Sequence, residues 1–164
     1  MKRYLYLLRH AKSSWSYPDL DDFERPLNKR GRHDVPVMAG VLQKNDAIPD
    51  MIIASPATRA AMTARIVAEI LRIDEQRVQF NHSVYEASPS ELLQAVQGTD
   101  NRVHRLMLVG HNPGLTTFAN FLTGHHLENI PTAGLCGIEL LVDKWGKLGE
   151  NGGKFLYLKT PKSN

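Results

Sequence analysis

The sequence predicts an α/β fold, a three-layer α/β/α sandwich with a mostly parallel central sheet and an antiparallel edge. Three observations predict it. Short apolar runs at residues 4–8, 51–54 and 106–109 lack polar alternation, as strands buried on both faces do. Segments of helical period separate them, and strand–helix alternation implies parallel strands joined by crossover helices. The last stretch carries two strand-like runs, 137–142 and 154–159, around a Gly-rich turn, which reads as an antiparallel pair at one sheet edge.

Taken in order, Tyr4 to Leu8 is a strand that should lie centrally and that ends in Arg9-His10. The following Lys12-Ser13-Ser14-Trp15-Ser16-Tyr17-Pro18-Asp19 is too polar and too Ser/Pro-marked for regular structure, so it is a loop. Asn28 offers a cap for a helix over 29–44, with Val35, Met38, Val41 and Leu42 on one face. Pro36 removes a hydrogen bond there, so the helix is expected to kink or to start later than Asn28. The strand at 51–54 runs into Ser55 as cap and Pro56 as first helical residue, and Ile66, Val67, Ile70 and Leu71 give the apolar stripe of that helix. A short edge strand is expected at 77–80. A helix opened by Ser88-Pro89-Ser90-Glu91 and ended by Gly98 follows. After the strand at 106–109, Gly110-His111-Asn112-Pro113-Gly114 repeats the strand-to-helix junction, with Asn112 as cap, Pro113 as first helical residue and a helix running to about Thr123.

With 164 residues, 42% of them hydrophobic, the chain suits one domain over 1–164 and leaves no room for a large cap insertion. The single Cys136 excludes an internal disulfide and a thiolate metal site, which fits a reducing compartment and a cytoplasmic location. Met1-Lys2-Arg3 and the apolar run after it resemble a signal peptide, but Arg9 ends that run too early, and no segment approaches the roughly 18 apolar residues of a membrane span. A net charge of +3 falls short of a nucleic-acid-binding stripe. Within 1–33, basic residues outnumber acids, eight to four, which is a solvated basic face or, on the sharper reading, a docking patch for an acidic partner.

Ligands of such sheets bind beyond the carboxyl ends of the strands. Three ends deliver Arg9 and His10, then Ser55 with Arg59 in the next helical turn, then His111. Two of them open into helices whose free NH groups favour an anion. Two arginines, two histidines and two helix starts at one rim describe a phosphate pocket. Neighbouring cations repel a metal, no HExxH or paired-Cys spacing is present, and no metal or cofactor is expected. His125-His126, after Gly124, reads as exposed, with zinc binding as the alternative.

These residues resemble the histidine phosphatase superfamily, with its phosphoglycerate mutase-like fold, and within it the small SixA-type phosphohistidine phosphatases. Leu8-Arg9-His10-Ala11, Arg25-Pro26-Leu27-Asn28 through Gly31, Ser55-Pro56-Ala57-Thr58-Arg59-Ala60 with Thr63-Ala64, and Gly110-His111-Asn112-Pro113-Gly114 carry the likeness. It implies that His10 is the nucleophile, that Arg9, Arg59 and His111 hold the transferring phosphoryl group, and that a phosphohistidine forms at His10. Asn112 and Ser13 are further candidates for phosphate contact. Ala11 stands where many members carry glycine. Glu86 falls where mutase-like relatives place their acid, and is either that proton donor or an exposed loop carboxylate. Short connections between motifs imply an open site, suited to a phosphorylated side chain on another protein, such as a histidine-carrier domain, or to a small phosphorylated substrate. A phosphohistidine protein phosphatase, a phosphatase for small phosphoesters or phosphoserine-type groups, and a non-catalytic phosphate-binding module are the three functions compatible with the sequence. A monomer is compatible with all three.

Overall fold

The computed structural model describes residues 1–162. Its centre is a six-stranded sheet in the order β3-β2-β4-β1-β5-β6. Here β1 is Tyr4–Arg9, β2 Met51–Ala54, β3 Val78–Phe80, β4 Arg105–Gly110, β5 Leu135–Leu140 and β6 Gly153–Lys159. The first four strands of that order run parallel, β5 is antiparallel to β1, and β6 is antiparallel to β5. The expected antiparallel pair is therefore present, but β5 lies inside the sheet and starts two residues before the run read from the sequence.

The layers follow from alternation along the strands. Tyr6 and Leu8 of β1 enter one apolar cluster with α1 (Lys29–Lys44) and α2 (Thr58–Leu71). Leu5 and Leu7 enter the other, with α3 (Pro89–Gln97) and α4 (Gly114–Thr123). Strand β1 is thus buried on both faces, as an unbroken apolar run must be. Two helices on each face complete the three-layer sandwich.

Helix starts show where local signals meet tertiary demands. Asn28 caps α1 through its side chain, which accepts from Gly31 N at 2.8 Å. The helix runs through Pro36 without a late start. Pro36 and Arg32 are both exposed, so water can take the Arg32 carbonyl left without its helical donor. Ser88 and Glu91 form the reciprocal capping box of α3. Helix α2, by contrast, begins at Thr58 with Ala57 as cap, two residues beyond the expected junction. Ser55 is occupied otherwise, accepting from Ala57 N at 3.2 Å and bonded to His111. Before α4, Asn112 and Pro113 are joined by a cis peptide bond and Pro113 takes the cap position. The Asn112 side chain still caps, accepting from Thr116 N at 3.1 Å.

Two glycines let loops press on these helix starts. A Cβ at Gly31 would overlap the Lys12 carbonyl, and one at Gly114 the Ala87 carbonyl. Both contacts hold segments that border the carboxyl ends of β1 and β4.

Candidate active site

Strands β2, β4 and β1 are neighbours, so their carboxyl ends form one continuous rim. Register pairs Arg9 with Gly110 and Ala54 with Val109. Backbone bonds continue past the strands, from His10 N to Gly110 O at 3.2 Å and from Ser55 N to Val109 O at 3.0 Å. The turns carrying His10, Ser55 and His111 are thereby fixed to one another.

His10 sits at the floor, only 7% exposed. Its Nδ1 lies 2.8 Å from the Ala11 carbonyl, which can only accept, so Nδ1 carries the hydrogen. Nε2 is left bare, and Arg59 donates to it from Nε at 3.4 Å. Ala11 N in turn donates to Thr63 Oγ1, whose hydroxyl donates to the Arg59 carbonyl, tying the turn after β1 to the first turns of α2. The His10 and His111 rings stand 5.1 Å apart between centroids.

The arginines are held rather than dangling. Arg59, 6% exposed, donates to the Asp22 carbonyl at 2.7 Å and to its carboxylate at 3.0 Å. Arg9 donates to the Ile130 carbonyl at 3.1 Å. Asp22 also pairs with Arg25 at 3.1 Å and accepts from the Tyr85 hydroxyl at 2.7 Å. One carboxylate thus anchors two guanidinium groups and a phenol. Tyr85 closes the far side, its ring edge-on to His111 at 5.4 Å.

These surroundings decide protonation. Burial, then His111 and the Arg59 and Arg9 guanidinium groups, push His10 down to about 3, although its bond to the Ala11 carbonyl opposes them. Burial and then Arg59 push His111 down to about 4, Asp22 opposing. Burial, with Arg59 beside it, also lowers Arg9. Burial opposes ionisation of Asp22, but bonds from Tyr85, Arg59 and Arg25 outweigh it and hold the carboxyl well below its usual range. Burial, the bond to Asp22 and the Asp22 and Glu86 charges push Tyr85 up. At neutral pH the site holds neutral imidazoles among guanidinium cations, an arrangement that attracts an oxyanion.

The cavity above His10 has a volume of about 440 Å³ and gathers six of the seven residues singled out in the sequence, Arg9, His10, Ser13, Arg59, His111 and Asn112. Ser13 accepts from Arg25 at 2.6 Å, and Asn112 donates to the Asn129 side chain and the Ile130 carbonyl. Glu86 is not among the lining residues; it is exposed, in the left-handed region at φ 52°, beside Tyr85. The sequence reading did not assign Lys12, Trp15, Arg25, Asn28 and Thr132 to the lining, nor Asp22 and Tyr85 to the site. Arg25 lay within a recognised motif and could have been found there. Asp22, one acid among several in a polar loop, carried no such signal.

His125 and His126 are exposed, and His125 stacks on Phe155 at 3.9 Å. Among the described residues, no group of three or more His, Cys, Asp or Glu side chains could hold a metal. No helix among them is long and apolar enough to cross a membrane.

Two arginines and two histidines facing one cavity at the carboxyl edge of a doubly wound sheet define a phosphate-handling α/β protein. The model of the histidine phosphatase superfamily (branch 1) matches residues 5–91, and the chain belongs to that superfamily. An uncharacterized chloroplastic protein of Arabidopsis thaliana is 30% identical over 176 residues, covering the whole chain and 80% of that protein. Among solved structures, the proposed phosphohistidine phosphatase SixA of Agrobacterium tumefaciens superposes with a TM-score of 0.83 at 26% identity, over 98% of this chain and 99% of that one. A protein histidine phosphatase SixA complexed with tungstate shares the fold, with a TM-score of 0.83 at 18% identity over 97% of each chain. The protein is of the SixA type within the superfamily, and its neighbours support phosphatase activity.

Proposed function

We propose that this chain dephosphorylates phosphohistidine on another protein, without a metal, through a phosphohistidine intermediate at His10. The observation that carries this reading is the orientation of His10. Its Nδ1 is tied to the Ala11 carbonyl, and the bare Nε2 faces Arg59. A neutral imidazole held this way is a nucleophile at neutral pH.

In the first step the Nε2 lone pair attacks phosphorus while the bond from phosphorus to the leaving nitrogen breaks. The departing imidazole keeps the electron pair and takes a proton from solvent. In the second step water attacks phosphorus, the bond to His10 breaks, and phosphate leaves as the water proton is released. Arg9, Arg59 and His111 stabilise the equatorial oxygens, whose charge is present throughout in-line transfer. Asn112 and Ser13 line the same cavity and supply further hydrogen-bonding groups. Asp22 keeps Arg59 aimed, and is a positioning residue in this scheme.

Exchange between two imidazoles is nearly symmetric and asks little of an acid. An exposed Glu86 outside the cavity lining suits that chemistry better than the expulsion of an alkoxide. The mouth supports a flat leaving group as well. Trp15 lines it with 79% of its surface exposed and with the Arg25 guanidinium 3.6 Å from its ring centroid. The SixA-type neighbours and the basic segment around Arg25, Lys29 and Arg30 agree with an acidic phosphoprotein as substrate.

The test uses radiolabelled phosphohistidine peptide beside an aryl phosphate. Acid-labile, base-stable label should appear on His10 during turnover, and His10→Ala should lose both label and at least about 10³-fold in rate with its circular dichroism unchanged. Wild-type turnover by the alanine variant would refute the mechanism. Faster cleavage of the aryl ester than of the peptide would refute the substrate.

A further inference from the structure

We infer that Ser55 is a positioning residue that fixes which nitrogen of His111 carries the proton, and so presents His111 Nδ1–H to the phosphoryl oxygens; the inference rests on the role proposed above for His111. The two residues come from different strand ends, and the sequence assigned Ser55 itself no role beyond that of a helix cap at the rim.

The argument is a count of hydrogens in a dry place. Ser55 is fully buried, and its Oγ lies 2.8 Å from His111 Nε2. That same oxygen accepts from the Ala57 backbone NH at 3.2 Å. The hydroxyl hydrogen is thus free to point at one neighbour, and His111 Nε2 is the one within reach. If Nε2 carried a hydrogen instead, it would donate to Ser55, and the buried hydroxyl hydrogen would have no acceptor. Burying a donor without a partner costs about 1–3 kcal/mol; with an oxyanion in the cavity to accept from Nδ1, the first arrangement leaves no donor unpaired, whereas the second still strands the Ser55 hydroxyl, so the first prevails once an anion is bound. Nε2 therefore accepts and Nδ1 holds the hydrogen.

His111 is 9% exposed and lines the cavity with His10 and Arg59, while its Nδ1 has no hydrogen-bond partner among the described residues. A hydrogen-bearing Nδ1 on a ring that lines the cavity is an unpaired donor that a bound oxyanion can satisfy. The depressed basicity of His111 supports the same reading, because a neutral ring has two tautomers to choose between and a protonated one has none. His10 is treated in a mirrored way. An acceptor, the Ala11 carbonyl, leaves the other nitrogen of His10 bare for attack, whereas a donor, Ser55, leaves the other nitrogen of His111 carrying hydrogen.

Nitrogen-15 NMR of histidine-labelled protein at pH 7 in saturating inorganic phosphate reads the tautomer directly, with His111 assigned through His111→Gln. The wild type should show a protonated Nδ1 and a bare Nε2. Ser55→Ala should shift His111 toward the other tautomer and lower kcat/KM on phosphohistidine peptide about 3–10-fold, as loss of one hydrogen bond does. Ser55→Thr, which keeps the hydroxyl, should restore the wild-type nitrogen pattern and most of the rate. A packing role alone predicts the same nitrogen pattern in the alanine and threonine variants. A wild-type His111 protonated at Nε2 would overturn the inference, and so would an alanine variant with unchanged tautomer and rate. The wild-type spectrum decides the matter even where the alanine variant fails to fold. Absence of any turnover would count against the phosphatase reading alone, since the nitrogen pattern is read independently of it.

Discussion

His10 and His111 are unusual imidazoles because burial and neighbouring guanidinium groups both oppose a second proton. The sign of the pH effect follows. Each ring is neutral above its depressed value, so the rate on an aryl phosphate should lack a midpoint near the ordinary histidine value and fall as pH drops through about 4 toward 3. Between the unfolded value of 6.5 and these values the folded chain binds fewer protons than the unfolded one, so stability too should decline as pH falls. A rate profile with its acid limb centred near about 6.5 would contradict the assignment. Arg9, His10 and His111 were legible in the sequence because each ends or follows an apolar run, and strand ends are where such sheets bind ligands. Asp22 and Tyr85 were not. Their partners lie 37 and 63 positions from Asp22, and only the folded chain brings Arg59 and Tyr85 to one carboxylate.

At the scale of elements, the buried strands were readable because burial on both faces leaves an uninterrupted apolar signature. Helix starts were less so, since Ser55 obeys two demands and the one from His111 displaces the cap. The loop after β1 is the element with most bearing on specificity. It leaves His10, bridges Ser13 to Leu27 and carries Trp15 to the mouth. Arg25, anchored by Asp22 and Ser13, supports the indole from one side. An indole stacked on a cation gains roughly 0.5–2 kcal/mol, which favours this placement at such exposure. Its remaining contact surface suits a planar ring leaving the phosphoryl group. Trp15→Ala should raise KM for phosphohistidine peptide about threefold to tenfold, the range expected of a ring contact worth about 0.5–1.5 kcal/mol. Phosphoramidate, which has no ring, should be hydrolysed by the variant within about twofold of wild type on the same reasoning. Equal losses on both substrates would show that the indole merely braces Arg25.

For the molecule as a whole, the site is a junction. Arg9 and His10 leave β1, Arg59 lies on α2, His111 follows β4, and the Asp22 segment reaches over from before α1. These parts bring like charges together, and the basicity of Arg9, lowered first by burial, is lowered further by Arg59 beside it. A bound oxyanion relieves the repulsion and adds a further bridge among these elements. Ligand binding to the folded state alone stabilises by about 2.7 kcal/mol at about 100 times Kd. For a chain of this size, that corresponds to a rise in Tm of about 5–10 °C. Inorganic phosphate or orthovanadate should produce such a rise in a thermal melt, while chloride at equal ionic strength should not. Chelator should leave the shift unchanged, because the cradle proposed here is made of side chains. Arg59→Ala should lose most of the shift even though its own charge repulsion is gone, since the anion then lacks the guanidinium that orients it against His10. A full shift in that variant would place the anion elsewhere on the basic surface, and would separate general electrostatic attraction from binding at the strand ends.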